Sequence, residues 1–177
     1  MKDEVKKAIL LRIDPKWHDA IAGGKKTVEV RTSIPCIALP FRVYMCEQHG
    51  PSETDCHVVG EFTCTGYDKF TPVGTGSVRF KRFRALHETC MSIREIHDIA
   101  NGKPVYGWRI YDLQMYREPV NLTEFYEPCK HNCGDCEYSC YDSHDEMPGR
   151  GEWYCGKGDI PSGIQPPTNW CYVEQSD

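Results

Sequence analysis

The sequence predicts an α+β fold: a small, mostly antiparallel β-barrel with short flanking helices and a metal-binding insertion towards its C-terminal end. Three observations lead there. Strand-length apolar or alternating runs recur at irregular spacing, without the strand–helix alternation of a parallel sheet. Only two stretches carry helix start and stop signals. Five of the eleven cysteines crowd between Cys129 and Cys155.

The elements follow in order. Ala8 to Ile13 is an apolar run that reads as a buried first strand. Asp14-Pro15 has the form of a helix N-cap followed by Pro at the first helical position. Trp17, Ala20 and Ile21 recur at helical spacing, and Gly23-Gly24 ends the helix, since Gly accepts the left-handed conformation of a helix C-terminus. Thr27 to Arg31 alternates. Val28 and Val30 point to one side, Thr27, Glu29 and Arg31 to the other. Arg31 to Pro40, with two prolines, reads as a loop. Phe41 to Glu47 and Val58 to Cys64 are the next strands, Gln48 to Asp55 between them is turn-rich, and Gly60 marks a bulge or bend. Thr65 to Arg84 has a weak pattern, and Pro72, Gly74 and Gly76 suggest a loop. Ser92-Ile93-Arg94-Glu95 is a capping box, opening a helix that runs to about Ala100 and stops at Asn101-Gly102. Val105 to Leu113 is the strongest strand, Tyr116 to Phe125 an extended edge and turn, and Trp170 to Glu174 the last strand.

The chain has 177 residues, 40% hydrophobic and 27% charged, which fits one soluble domain carrying an insertion. A net charge of −5 argues against gripping long duplex DNA by charge alone. A local basic groove remains open through Arg79, Lys81, Arg82 and Arg84 around Phe80 and Phe83, with a solvated loop or edge strand as the alternative. No apolar run is long enough to span a bilayer, and Asp3-Glu4 does not suit a signal peptide, so a cytoplasmic location is expected. Thiols stay reduced there.

Reduced cysteines at close spacing read as metal ligands. Cys129-x3-Cys133-x2-Cys136-x3-Cys140 is followed by Cys155, and Cys133-x-x-Cys136 has zinc-knuckle spacing with Gly134 favouring the turn. Four ligands close a structural zinc site, so one of the five is spare, with Cys140 or Cys155 as the fourth ligand. His131 and His144 are reserve ligands. Cys36, Cys46, Cys64 and Cys90 are expected to be small buried hydrophobes.

Several segments, taken together, resemble a known family. Gly24-x-Lys26-x-x-Glu29-x-Arg31 matches the G-x-K-x-x-E-x-R signature of the ASCH domain (activating-signal-cointegrator homology), in the PUA-like superfamily. Ile9 to Pro15, Val58 to Phe62, Val105 to Ile110 with Tyr116-x-x-Pro119-x-x-Leu122, and Pro166 to Glu174 resemble further segments of its prokaryotic and phage branch, in the family's order. The resemblance implies a PUA-like barrel formed by 1–126 plus 164–177, which leaves 127–163 as a cysteine-rich insertion, the segment whose spacing reads as zinc-binding. It also implies a cleft, against the first helix, that is lined by the signature.

Members of the family are proposed to bind RNA or modified nucleotides, and a few small ones hydrolyse nucleic acids or acylated nucleosides. Binding is the first expectation, with Lys26, Thr27, Glu29 and Arg31 as ligand-binding residues. Lys26 offers a point charge for phosphate, Arg31 a planar fork, and Glu29 an acceptor for an exocyclic amine or ribose hydroxyl, or else a partner for its two cationic neighbours. Tyr67, Trp108 and Tyr172 are stacking candidates, with barrel core favoured for Trp108 and Tyr172. A small hydrolase using Lys26 is the alternative, its further carboxylate sought in Glu61 or Glu88. The Thr that would accompany such a Lys, two residues before the motif Arg, is replaced here by Glu29. A third reading makes the insertion a contact for a protein partner.

Overall fold

A computed structural model describes residues 7–48, 56–74, 76–80, 83–125, 164 and 166–174. The strands are β1 (Lys7–Arg12), β2 (Val28–Arg31), β3 (Phe41–Gln48), β4 (Cys56–Val73), β5 (Ser77–Phe80), β6 (Val105–Asn121) and β7 (Trp170–Glu174). The α-helices are α1 (His18–Ala22), α2 (Phe83–Glu88) and α3 (Ile93–Ala100), with single 3-10 turns at Pro15–Trp17 and Leu122–Glu124.

The seven strands form one sheet in the order β2-β6-β4-β3-β1-β7, with β5 paired to β4. Only β1 and β3 run parallel, Ile9 opposite Val43 and Leu11 opposite Met45; the other pairs are antiparallel. β1 lies inside the sheet with both faces covered, which is why Ala8–Leu11 is continuously apolar and fully buried. The α+β class and the mostly antiparallel sheet agree with expectation. Closure into a barrel does not. β2 and β7 end the strand order and do not pair with each other. They span four and five residues, too little ladder to zip two edges together. The sheet still curls: the rings of Trp108 on β6 and Trp170 on β7 lie 6.1 Å apart, although three strands separate β6 from β7 in the sheet order.

The bend expected at Gly60 is present. The register of β4 slips between Val58 and Gly60 against β6, and that of β3 slips between Met45 and Cys46 against β4. The described residues of 65–84, expected as a loop, are instead the second half of β4, then β5 and the start of α2. The pattern is weak because the buried side of this half-strand carries Gly66 and Asp68 before Phe70. Asp68 is buried against the Arg109 guanidinium, with bonds of 3.0 and 3.1 Å. Pro72 is tolerated because there β4 pairs with β5 and no longer with β6.

Apolar clusters lie on both sides of the sheet. Ile9, Leu11, Phe41, Val43, Phe62 and Trp108 form one with Ile21 of α1. Leu10, Tyr44, Val58 and Val173 form a second, with Phe125 and Ile164. Val30, Phe70 and Val105 form a third under α2 and α3. The capping box of α3 is formed, and Asn101 ends that helix at φ +43°. Residues 49–55 and 126–163 lie outside the described residues, and with them the expected turn, the insertion and the candidate ligands Cys129, Cys133, Cys136, Cys140, Cys155, His131 and His144. No described helix is long and apolar enough to cross a membrane.

Candidate functional site

The site is built where α1 hands the chain to β2. Asp14 caps the first turn by accepting from the Lys16 amide at 3.1 Å, and Trp17 and Ile21 turn inward. Gly24 takes φ +67°, so the amides of Lys25 and Lys26 both bond the Ala20 carbonyl and the chain reverses tightly into β2. Thr27 then ties two elements by its backbone, donating to Glu88 O and accepting from Ile110 N, each at 2.9 Å. Val28 and Val30 are buried on one side. Glu29 and Arg31 take the other, as the alternation predicts.

Lys26 does not sit at an open mouth. Its side chain has no solvent exposure. The ammonium donates to Thr89 O at 2.7 Å and Val28 O at 3.1 Å, touches Glu29 Oε2 at 3.1 Å, and lies 4.7 Å from the centre of the Trp17 ring. Glu29, only 4% exposed, is held on its second oxygen by Arg31 Nη2 at 3.0 Å. Arg31 Nη2 also donates to the carbonyl of Arg12. The result is a chain of alternating charge, Lys26–Glu29–Arg31, sealed at the Lys end and partly open at Arg31, whose side chain is 16% exposed.

Among the described residues, three buried polar atoms of this region have no hydrogen-bond partner: Glu29 Oε2, Arg31 Nε and Tyr67 OH. The Lys26–Glu29 contact is close enough for an ion pair, but its direction is not that of a hydrogen bond. The charge contact therefore stands, while the oxygen keeps acceptor capacity. Glu29 faces Trp108 across β2 and β6, and Trp108 faces Tyr67 across β6 and β4, so the three side chains form a row on one side of the sheet. Burial pushes the Tyr67 phenol up from its ordinary value, with smaller contributions from Cys64 and Tyr172.

Trp108 is fully buried, edge-on to Phe41 and 6.0 Å from Tyr67, which makes it core, as favoured. Tyr172 is half-buried and accepts from the Cys36 amide at 2.7 Å. The same 32–40 loop is tied through Ser33, whose carbonyl accepts from Trp108 Nε1 at 3.3 Å and whose hydroxyl accepts from Trp170 Nε1 at 3.0 Å.

Of the sequence candidates, Lys26, Glu29 and Arg31 are brought into contact, Thr27 is placed between them by its backbone bonds, and Tyr67 lies beyond Trp108 in the row. Glu61 is not among them. It binds the Tyr116 hydroxyl at 2.5 Å and faces Arg42, on the Tyr44 side of the sheet. Glu88 meets the site through its backbone carbonyl, which accepts from the Thr27 amide. The residues that sequence reading missed are Thr89, Trp17 as a cap over Lys26, Arg12 as an acceptor, and Ser33. Thr89 follows α2, a six-residue helix with no start or stop signal in the sequence. Arg79 and Arg84 are exposed, and Lys81 and Arg82 lie outside the described residues.

Among the described residues no three metal-ligating side chains converge. Cys46 and Cys64 are buried as expected, and burial holds the Cys64 thiol up at about 11. Cys36 and Cys90 are exposed, contrary to expectation: one sits on the 32–40 loop, the other at φ +56° just beyond α2.

No protein-family model matches the chain, and no curated protein matches it. Solved structures do. The crystal structure of ASCH from Zymomonas mobilis matches with a TM-score of 0.52 and 18% identity, over 95% of this chain and 88% of that one. Two single-residue mutants of the same protein match with the same score and identity, over 89% and 91% of their chains. At that identity the likeness speaks for architecture. The fold of this chain is the ASCH fold.

Proposed function

We propose that the chain binds RNA or a modified nucleotide at the site formed by Lys26, Thr27, Glu29 and Arg31. The observation that carries this reading is the set of three buried polar atoms with no hydrogen-bond partner among the described residues, Glu29 Oε2, Arg31 Nε and Tyr67 OH, around the Glu29–Trp108–Tyr67 row. A buried polar group without a partner costs about 1–3 kcal/mol, more when charged. A ligand that pairs them recovers this on binding. The ASCH fold agrees with the reading. A hydrolase using Lys26 fits less well, because the ammonium is already engaged by two carbonyls and a carboxylate.

The test is fluorescence anisotropy with a labelled single-stranded RNA of mixed sequence, and calorimetry with free nucleosides and nucleotides. Arg31→Ala should weaken binding about tenfold or more, since a hydrogen bond to a charged group is worth about 1.5–3 kcal/mol. Unchanged binding in both Arg31→Ala and Glu29→Ala refutes the site.

The second element is structural. The insertion 127–163 binds one zinc ion through four of Cys129, Cys133, Cys136, Cys140 and Cys155, which orders a polar segment with little apolar content. Protein purified without added metal should carry about one zinc per chain. Cys129→Ser should lose it; retention of full zinc by both Cys129→Ser and Cys133→Ser removes the proposal.

A further inference from the structure

Glu29 Oε2, Arg31 Nε and Tyr67 OH are buried, so a ligand reaches them only if part of the protein moves aside. The segment placed to do so is 32–40, which leaves β2 at Arg31 and enters β3 at Phe41. β2 and β7 do not pair, yet this segment links the end of β2 to side chains of β7. The Ser33 carbonyl accepts from Trp108 Nε1 on β6 at 3.3 Å, and the Ser33 hydroxyl accepts from Trp170 Nε1 on β7 at 3.0 Å. The Cys36 amide donates to the Tyr172 hydroxyl, also on β7, at 2.7 Å. Among the described residues these three bonds tie 32–40 to other elements, and none of them joins backbone to backbone.

Little apolar surface holds the segment down. Ile34 and Leu39 are already 43% and 42% exposed, which leaves Pro35 and Ile37 as the apolar side chains it lays on the core. Segments with few buried apolar contacts and few ladder bonds open without unfolding the rest of the protein. Ser33 concentrates the attachment, because one residue holds indoles from two different strands. What lies under it is the row: Trp108 stands between Glu29 and Tyr67 across the ladders, and Tyr67, Trp170 and Tyr172 pack on one cluster. Resting on the site proposed above, we infer that 32–40 is a hinged cover, latched at Ser33, that opens as one unit and admits a ligand to the Glu29–Trp108–Tyr67 row. Its ends stay fixed, since Arg31 pairs with Tyr106 and Phe41 with Cys64. Ser33 is a positioning residue in this device and touches no ligand.

The experiment is hydrogen exchange of the full chain followed by nitrogen-15 NMR, read at the Trp108 indole proton and at the amides of the β3–β4 ladder. In the wild type the Trp108 proton should be less protected than those amides, because the cover opens without the sheet. Ser33→Ala keeps the carbonyl that Trp108 bonds, and Tyr172→Phe alters neither partner of that bond. Each should nevertheless speed exchange at Trp108 about two- to tenfold, the worth of one hydrogen bond, while the ladder amides keep their rates. Stopped-flow mixing with a labelled single-stranded RNA of mixed sequence gives the second readout. Its association rate should rise in Ser33→Ala by the same factor as the Trp108 exchange.

The inference is overturned if Trp108 exchanges no faster in either variant, since the three bonds then break independently. It is overturned as well if the Trp108 proton is protected as strongly as the ladder amides, or accelerates only together with them, because the segment then opens only when the sheet unfolds. Faster exchange with an unchanged association rate shows that the ligand enters elsewhere and removes the cover's role. In each of those cases the broader proposal of nucleic-acid binding stands. If no RNA, nucleoside or nucleotide binds, that proposal fails, and the exchange rates, which need no ligand, still decide whether 32–40 opens as one unit.

Discussion

Lys26 Nζ lies 4.7 Å from the centre of the Trp17 ring, so the residue that closes the α1 turn is capped by the residue just before α1. Behind the ring is core; in front of the ammonium is Glu29. Removing the cation leaves a 4% exposed carboxylate with one partner fewer, and truncating one member of a buried pair costs about 3–5 kcal/mol. Arg31 remains on Glu29 and moderates that loss. Lys26→Met should therefore lower unfolding stability by about 2–4 kcal/mol in urea. The double variant Lys26→Met, Glu29→Gln should recover part of it. A double variant no more stable than Lys26→Met alone would show that the Glu29 charge is not what the single change exposes.

Gly60 sits where β4 slips its register against β6. A Cβ built there lies 2.5 Å from the Gln114 carbonyl oxygen, and backbone of a central ladder cannot step aside as a side chain does. Gly60→Ala should cost about 1–3 kcal/mol, the range for overpacking, read as a lower urea midpoint at unchanged slope. Gly74, at φ +58° with nothing within 4 Å of its Cβ position, should instead show only the smaller cost of a left-handed alanine. Equal losses at the two positions would contradict the close approach.

The sequence makes the β2 face legible because alternation there is unbroken: Val28 and Val30 inward, Glu29 and Arg31 opposite. It makes α3 legible because Ser92 and Glu95 write their own start signal. It hides the second half of β4, where Asp68 stands at a buried position that only the distant Arg109 makes acceptable. Lys26 is the harder case. Its type and its place in the signature read as a point charge offered to phosphate, and its burial depends on Thr89 and Trp17, one of which follows a helix with no local signature. Closure of the sheet was beyond local pattern altogether, since it turns on whether β2 and β7 meet.

The capping box of α3 carries a pH signature. The Glu95 carboxyl is held below its ordinary value, first by the hydrogen bond from the Ser92 amide, then by the Ser92 hydroxyl. A carboxyl whose folded pKa is depressed contributes stability above its unfolded pKa and loses it as pH falls through the folded value. Ser92→Gly removes the hydroxyl, so the gap in urea midpoint between wild type and variant should be wide at pH 7 and narrower at pH 3. A gap that widens on acidification would mean that the neutral carboxyl is the better cap.

Tyr67 separates stability from binding most cleanly. Its hydroxyl is buried without a hydrogen-bond partner among the described residues, so the fold bears the desolvation of that group and gains no hydrogen bond from those residues. Its ring, in contrast, packs 6.3 Å from Phe41 and 6.0 Å from Trp108. Tyr67→Phe keeps the ring and discards the hydroxyl. Stability should therefore stay the same or rise by up to about 1 kcal/mol, against the usual sign for losing a tyrosine hydroxyl. Affinity for the nucleoside or RNA should fall about three- to tenfold, the worth of one hydrogen bond made only in the complex. The two readouts must move apart. If stability falls and binding does not, the hydroxyl serves the fold, and the row from Glu29 to Tyr67 ends at Trp108.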